Sequence, residues 1–194
     1  VQALQEVDLN PATAAIEHII EIPGARPYWA VADKDGNYLY VSDTFVGAIY
    51  VIDINPTSAT FHTMVKQISV EVASEGLRGM DVTADGRRLY AAAPLKGGAA
   101  QFSNQQYPNG HIVVIDIDTT PGNTSLWTTI AEQTVSQEPY FVKASATDPR
   151  TVTFTNRRSD AQGFNVIHAT NDAHTNLTLT SASLLLGSKL DHFD

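Results

Sequence analysis

Short runs in which hydrophobic and polar residues alternate recur along this chain, and the runs come in the same order three times. The first full set occupies 27–54, PYWAVADKDGNYLYVSDTFVGAIYVIDI. Alternation is clearest in Tyr38-Leu39-Tyr40-Val41, where a period of two predicts a strand with one face toward a core. The Asp35-Gly36 pair between two such runs is a strong hairpin signal, because glycine supplies the left-handed backbone that a tight turn needs. The pattern predicts strands over 28–32, 38–42, 48–54 and, further out, near 61–70, with turns near 47 and over 55–58.

A second copy reads LRGMDVTADGRRLYAAAP over 77–94 and resumes as HIVVIDID over 111–118. Gly86 follows Gly36 by 50 residues, whereas Ile115-Asp116-Ile117 follows Ile52-Asp53-Ile54 by 63. The difference marks a 13-residue insertion between the second and third strands, within 96–110, expected as a surface excursion. A third, looser copy runs EPYFVKASATDPRTVTFTN over 138–156, then GFNVIHAT over 163–170, then an outer strand around 177–186. Pro139-Tyr140 repeats Pro27-Tyr28, and Asp148-Pro149 replaces the Asp-Gly turn. Ahead of the first copy, 1–24 holds two apolar runs around Asn10-Pro11. A helix over 13–22 competes with a strand there, and the recurring order favours the strand.

Three strands of this size cannot bury a face alone, so repeats of 40–60 residues with four antiparallel strands each imply stacked blades. The fold class is therefore all-β, a β-propeller of four-stranded antiparallel blades. The expected division is a half blade over 1–24, blades over 25–74, 75–137 (with the insertion 96–110) and 138–186, and the start of another over 187–194. Three to four blades are present, fewer than a ring of about seven, so the chain reads as one segment of a larger propeller whose remaining blades belong to the parent polypeptide. LRGMDVTADGRRLYAAA and RPYWAVADKDGNYLYVSD, each followed by a Val-Ile-Asp-Ile type of strand, resemble the YVTN family of bacterial propeller repeats over about three quarters of the chain. The first unit departs from that pattern in having Trp29 in place of glycine, and the third lacks Asp-Gly. The resemblance implies a fold and leaves the chemistry open among surface-layer proteins, lactonase-like enzymes and quinoprotein dehydrogenase subunits.

Composition narrows the partners. A net charge of −9 with only 12 Lys plus Arg argues against a nucleic-acid backbone or an anionic membrane surface, both of which need clustered basic side chains. No apolar run is long enough to insert in a membrane. The chain has no cysteine, which excludes disulfides and thiolate chemistry and fits an exported bacterial protein: secreted, periplasmic or on the cell surface. It begins at Val1 without a signal-peptide pattern and is expected to be a processed or excised piece.

Motifs that carry chemistry are few. The run DKDGNYLYVSD over 33–43 has its glycine in the fourth place, not the sixth that a calcium loop requires, and is read as a hairpin. His18, His62, His111, His168, His174 and His192 lack metal-ligand spacing and are read as solvated loop residues, so neither a metal nor a cofactor is expected. No Gly-x-Ser-x-Gly or phosphate-cradling glycine loop occurs. Two Asn-x-Ser/Thr patterns, at Asn123 and Asn176, would matter only in a eukaryotic source.

Blade geometry places the loops from outer strand to next inner strand, and from second strand to third, on one side. That side would collect Arg26, Asp43, Arg78, Tyr107, Glu138 and Arg157 as ligand-binding candidates, with Glu75, Lys96 and Arg158 nearby. The expected function is an extracytoplasmic, non-enzymatic binding or scaffold module that takes a protein or a small anionic or sugar-like ligand on this loop face. The alternatives are a lactonase-like hydrolase and a non-catalytic subunit of a periplasmic quinoprotein dehydrogenase.

Overall fold

Every strand pairs antiparallel with its sequence neighbour. The computed structural model describes residues 3–7, 16–73, 75–94, 109–157 and 164–182, and no helix occurs among them. β1 (Ala3–Val7) and β2 (Ile16–Glu21) form a two-stranded sheet, so the rival helix at 13–22 gives way to a strand. Three four-stranded meanders follow. The first sheet is β3 (Pro27–Ala32), β4 (Tyr38–Asp43), β5 (Ala48–Asp53) and β6 (Met64–Ser69). The second is β7 (Met80–Val82), β8 (Arg88–Ala93), β9 (Asn109–Asp116) and β10 (Thr128–Gln137). The third is β11 (Pro139–Ala144), β12 (Thr151–Asn156), β13 (Phe164–Ala169) and β14 (Leu177–Ala182). The architecture is all-β, built of four-stranded antiparallel blades as the repeats imply. Most of the insertion 96–110, and all of 187–194, lie outside the described residues.

The turn chemistry is local. Asp33 accepts the amides of Asn37 and Tyr38 on one carboxylate oxygen, and Gly36 sits at φ 70°. In the second sheet Thr83 accepts the Arg88 amide and Gly86 sits at φ 75°. Both are hairpin turns closed by their own first residue, and in both a residue with a Cβ would pay for the left-handed backbone.

Register explains how the sheets stack. In the first sheet Tyr40 lies opposite Val51, and Leu39 opposite Ile52. In the second, Tyr90 lies opposite Val114, and Leu89 opposite Ile115. The leucine row faces the preceding sheet and the tyrosine row the following one. Tyr40, Ile49 and Val51 thus pack against Leu89, Ala91, Val113 and Ile115, while Tyr90, Ala92 and Ile112 pack against Val142, Val152 and Phe154. Burying two faces is why β5, β8 and β9 read as nearly continuous apolar runs.

Two further devices join the sheets. At the inner strands, the Gly79 amide donates 2.9 Å to the Tyr140 carbonyl, and a Cβ on Gly79 would sit 2.9 Å from that oxygen, so only glycine permits the approach. Trp29 holds the corresponding place in the first sheet, where its indole N–H donates 2.9 Å to the Met80 carbonyl. At the rim, His62, Trp127 and His174 each adopt a left-handed backbone (φ 61°, 61° and 57°) just before their outer strand. Each ring turns back onto the sheet before its own: His62 on His18, Trp127 edge-on to Tyr38, and His174 on Tyr90.

The same logic assigns β2. Ile20, Ile22 and Ala25 pack on the first sheet as Ile68, Val70 and Ala73 pack on the second, and Ala25→Ile22 and Ala73→Val70 are equivalent backbone bonds. β2 is therefore an outer strand and β1 a third strand. β5 has β4 on its inner side, whereas β1 pairs only with β2 among the described residues.

Candidate functional site

Tyr28, Arg78 and Tyr140 hold equivalent places at the head of their inner strands, each directly after Pro27, Leu77 or Pro139. Stacking brings them together. The Tyr28 and Tyr140 hydroxyls hydrogen-bond to each other, with their rings edge to face at 6.2 Å. The Arg78 guanidinium lies 5.7 Å from the Tyr28 ring centroid, and that of Arg157 5.3 Å from the Tyr140 centroid, both within reach of cation–π attraction. Arg157 also pairs with Glu138 at 3.8 Å. Burial, and then the bond to Tyr140, push the Tyr28 phenol up to about 12, so it stays protonated at neutral pH. Directly below, Trp29 meets Phe141 at 4.8 Å.

Arg78 is fixed before any ligand arrives. Its Nη1 donates to the Thr44 carbonyl (3.2 Å), the Thr44 hydroxyl (2.9 Å) and the Leu77 carbonyl (3.0 Å). These bonds put the β4–β5 turn and the β6–β7 connection on the same side, as blade geometry demands. Glu138 sits at φ 51° ahead of Pro139 and receives the Arg157 amide on its carbonyl. A non-glycine residue held in the left-handed region is the kind of stored strain that gathers at ligand clamps.

The remaining expected site residues fall elsewhere. Arg26 is exposed beside the same mouth, stacked 4.3 Å over Phe45. Asp43 is fully buried: one carboxylate oxygen accepts the Phe45 and Val46 amides, the other the Arg26 amide and the Tyr50 hydroxyl. Burial pulls this carboxyl toward protonation, but the four bonds outweigh it and hold it below the usual carboxylate range. Asp43 therefore shapes the turn and has no lone pair left for a ligand, a correction to its reading as a ligand-binding residue. Tyr107 lies outside the described residues. The histidines are also corrected in part, since His111 and His174 are buried, and His174 Nδ1 is 2.8 Å from the Tyr90 hydroxyl. Among the described residues no group of three His, Asp or Glu side chains gathers at metal-ligand spacing.

Of two cavities, one lies apart from the tyrosine–arginine cluster and the other reaches it through Tyr28. One of about 400 Å³ lies at the rim between Ser69–Val72 and β10, where Glu71 and Glu132 make it acidic. The other, about 290 Å³, lies between β1 and β3, against Leu4, Tyr28 and Trp29. It occupies the place that a second strand beside β1 would fill.

No protein-family model and no curated protein sequence matches the chain. Solved structures do. A Bacteroides uniformis protein provisionally named a 6-phosphogluconolactonase superposes with a TM-score of 0.69 at 14% identity, over 92% of this chain and 47% of its own. The β-propeller domain of Cps50 (Swd1) from Myceliophteria thermophila gives 0.55 at 9% identity, over 82% of this chain and 40% of its own. The fold is a β-propeller. The periplasmic gluconolactonase of Pseudomonas aeruginosa matches the same blades with a TM-score of 0.57 at 15% identity, over 89% of this chain and 46% of its own. At such identities the likeness speaks for the fold alone. The chain spans about 40–50% of the length of the structures it matches.

Sequence reasoning did not single out Tyr28 and Tyr140, which the fold brings into the candidate site. The signal was present in the Pro-Tyr pair repeated 112 residues apart, which served only to align the blades.

Proposed function

We propose that this propeller is an extracytoplasmic, non-enzymatic binding module of the bacterial YVTN type, with a small anionic or sugar-like ligand seated at the head of its inner strands. The observation that carries the reading is the Tyr28–Arg78–Tyr140–Arg157 cluster, in which three blades contribute aromatic and cationic groups to one patch. Tyrosine and arginine are the residue types that dominate binding hot spots. The absence of cysteine and the periplasmic neighbour support the location. Calorimetric titration of a panel of sugars, sugar acids and phosphate tests it. Binding that is lost in Arg157→Ala and Tyr140→Ala is the expected result, and binding indifferent to both overturns the site.

The reading extends to the ring. The inner edge of β1 and the cavity beside it fit a pair of blade strands from the rest of a parent polypeptide, which would complete that sheet. Light scattering checks this on the 194-residue chain, since a compact monomer with ordinary cooperative unfolding would overturn it. One observation favours a rival: three neighbours carry lactonase names. Incubation with a lactone panel and divalent metals decides between them, because turnover abolished by Arg78→Gln would replace the binding reading with hydrolysis.

A further inference from the structure

Arg78 is half-buried, yet its bonds run only to neutral oxygens, and it makes no ion pair with any described carboxylate. A guanidinium keeps its charge in any environment, and one removed from water is ordinarily paired. The way it is anchored also selects an edge. All three of its hydrogen bonds use Nη1, so the side-on fork formed by Nε and Nη2 bonds to nothing among the described residues. That planar fork matches the two oxygens of a carboxylate, which it takes bidentately.

The neighbouring groups set the rest of the ligand. Arg157 pairs with Glu138, whereas Arg78 pairs with no described carboxylate, so Arg78 is the cation of the cluster that a monoanion would meet. In the Tyr28–Tyr140 pair, which is exposed, one phenol donates to the other and leaves a single free O–H and unused oxygen lone pairs. A donor combined with acceptors is the complement of a hydroxyl group. With the Arg78 guanidinium 5.7 Å from the Tyr28 ring centroid, one small molecule can bring a carboxylate to the fork and a hydroxyl to the tyrosine pair.

We propose that the loop-face site recognises small hydroxycarboxylates as open-chain monoanions, through the Arg78 fork and the tyrosine pair, in preference to their neutral lactones or amides. This rests on the binding reading above and names its ligand class. A neutral lactone leaves the guanidinium without a counter-ion, and a phosphate dianion brings more charge than the cluster balances.

The test is calorimetric titration of the 194-residue chain with D-gluconate, D-gluconamide, freshly dissolved D-glucono-1,5-lactone and inorganic phosphate. D-Gluconate is expected to bind about ten- to a hundredfold more tightly than the amide or lactone, the discrimination that a charge-assisted bidentate contact supplies. Arg78→Lys keeps the charge but not the fork and is expected to lose most of that preference. Tyr28→Phe combined with Tyr140→Phe removes both hydroxyls without touching the Arg78 anchors, and is expected to weaken gluconate while leaving the thermal midpoint unchanged. Equal affinity for gluconate and gluconamide overturns the inference but leaves a binding module. Failure of all four ligands to bind overturns both. A gluconate preference that survives in Arg78→Lys and in the double tyrosine variant places the site elsewhere and also overturns the inference.

Discussion

The seam between the first and second sheets and the seam between the second and third are built on one geometry with different chemistry. Both use a residue at the head of the inner strand to close the centre, and a left-handed residue at the rim to clamp the outside. In the first seam both jobs fall to tryptophan: Trp29 donates to the Met80 carbonyl, and Trp127 packs on Tyr38. In the second they fall to Gly79, whose backbone bonds to Tyr140, and to His174, which bonds to the buried Tyr90 hydroxyl. The first seam is filled by side-chain bulk. The second depends on close backbone approach and on one titratable ring. The difference shows that the blade repeat fixes where sheets meet and leaves open what holds them.

Core truncation should hurt both seams most. Phe154→Ala, on the face toward the second sheet, is expected to cost about 3–5 kcal/mol, and Leu89→Ala, on the face toward the first, about 2–5 kcal/mol. Urea unfolding measures both, and a loss below about half a kcal/mol at Leu89 would mean that the repeat register is wrong.

Gly79→Ala should break the comparison at the centre. The added Cβ falls 2.9 Å from the Tyr140 oxygen, so the inner strands must part, at an expected cost of about 1–3 kcal/mol. Hydrogen exchange should show faster opening of β11 with β3 unchanged. Equal protection in the variant would show that the approach carries no strain.

Acid should separate the seams further. Burial first, and then the nearby Arg88, lower His174 below its ordinary value, with Arg150 acting the same way and Asp85 and Asp172 opposing. Because the unfolded chain takes up this proton more readily than the folded one, the contribution is complete above pH ~6.5 and is lost as the pH falls toward the folded value. Protection of β12 and β13 amides, measured against their intrinsic exchange rates, should fall as the pH drops below about 6.5, before the low-lying carboxylates of Asp43 and Asp118 titrate. Identical pH profiles for the two seams would contradict the role given to His174.

The smallest effect is expected at the Lys143–Asp81 pair. It bridges the second and third sheets at 2.9 Å but leaves the lysine side chain 73% exposed. Lys143→Met should cost less than about 1 kcal/mol, since exposed ion pairs contribute little. The Asp81 bond to the Ala144 amide (2.9 Å) should survive it, which urea unfolding and the exchange rate of that amide check together.

Blade order and strand positions were legible because two short-range signals coincide: period-two runs such as Tyr38–Val41, and turns closed by Gly36 and Gly86. The clamps were not legible. His62, Trp127 and His174 adopt left-handed backbones that glycine or asparagine would have announced, and their partners lie on a different sheet. Histidine count and spacing likewise concealed that His174 is buried. At the candidate site, loop-side reasoning reached Arg78, Glu138 and Arg157, because chain direction alone decides the side on which a loop emerges. It misplaced Asp43, since whether a carboxylate faces a ligand or its own turn depends on which amides the backbone aims at it. The tyrosine pair appears only when sheets separated by a whole blade are stacked.

Trp29 and Trp127 are the only tryptophans of the chain, and both sit on the first seam. Indole emission is therefore a local reporter with two ranges: Trp127 senses the first seam alone, whereas Trp29 also touches Phe141 of the third sheet. If the second seam opens first, Trp29 loses its Phe141 edge while Trp127 keeps its Tyr38 contact, so the emission maximum will move only part of the way as circular dichroism records lost structure. The lag between the two signals would give the order in which the blades come apart, without any label.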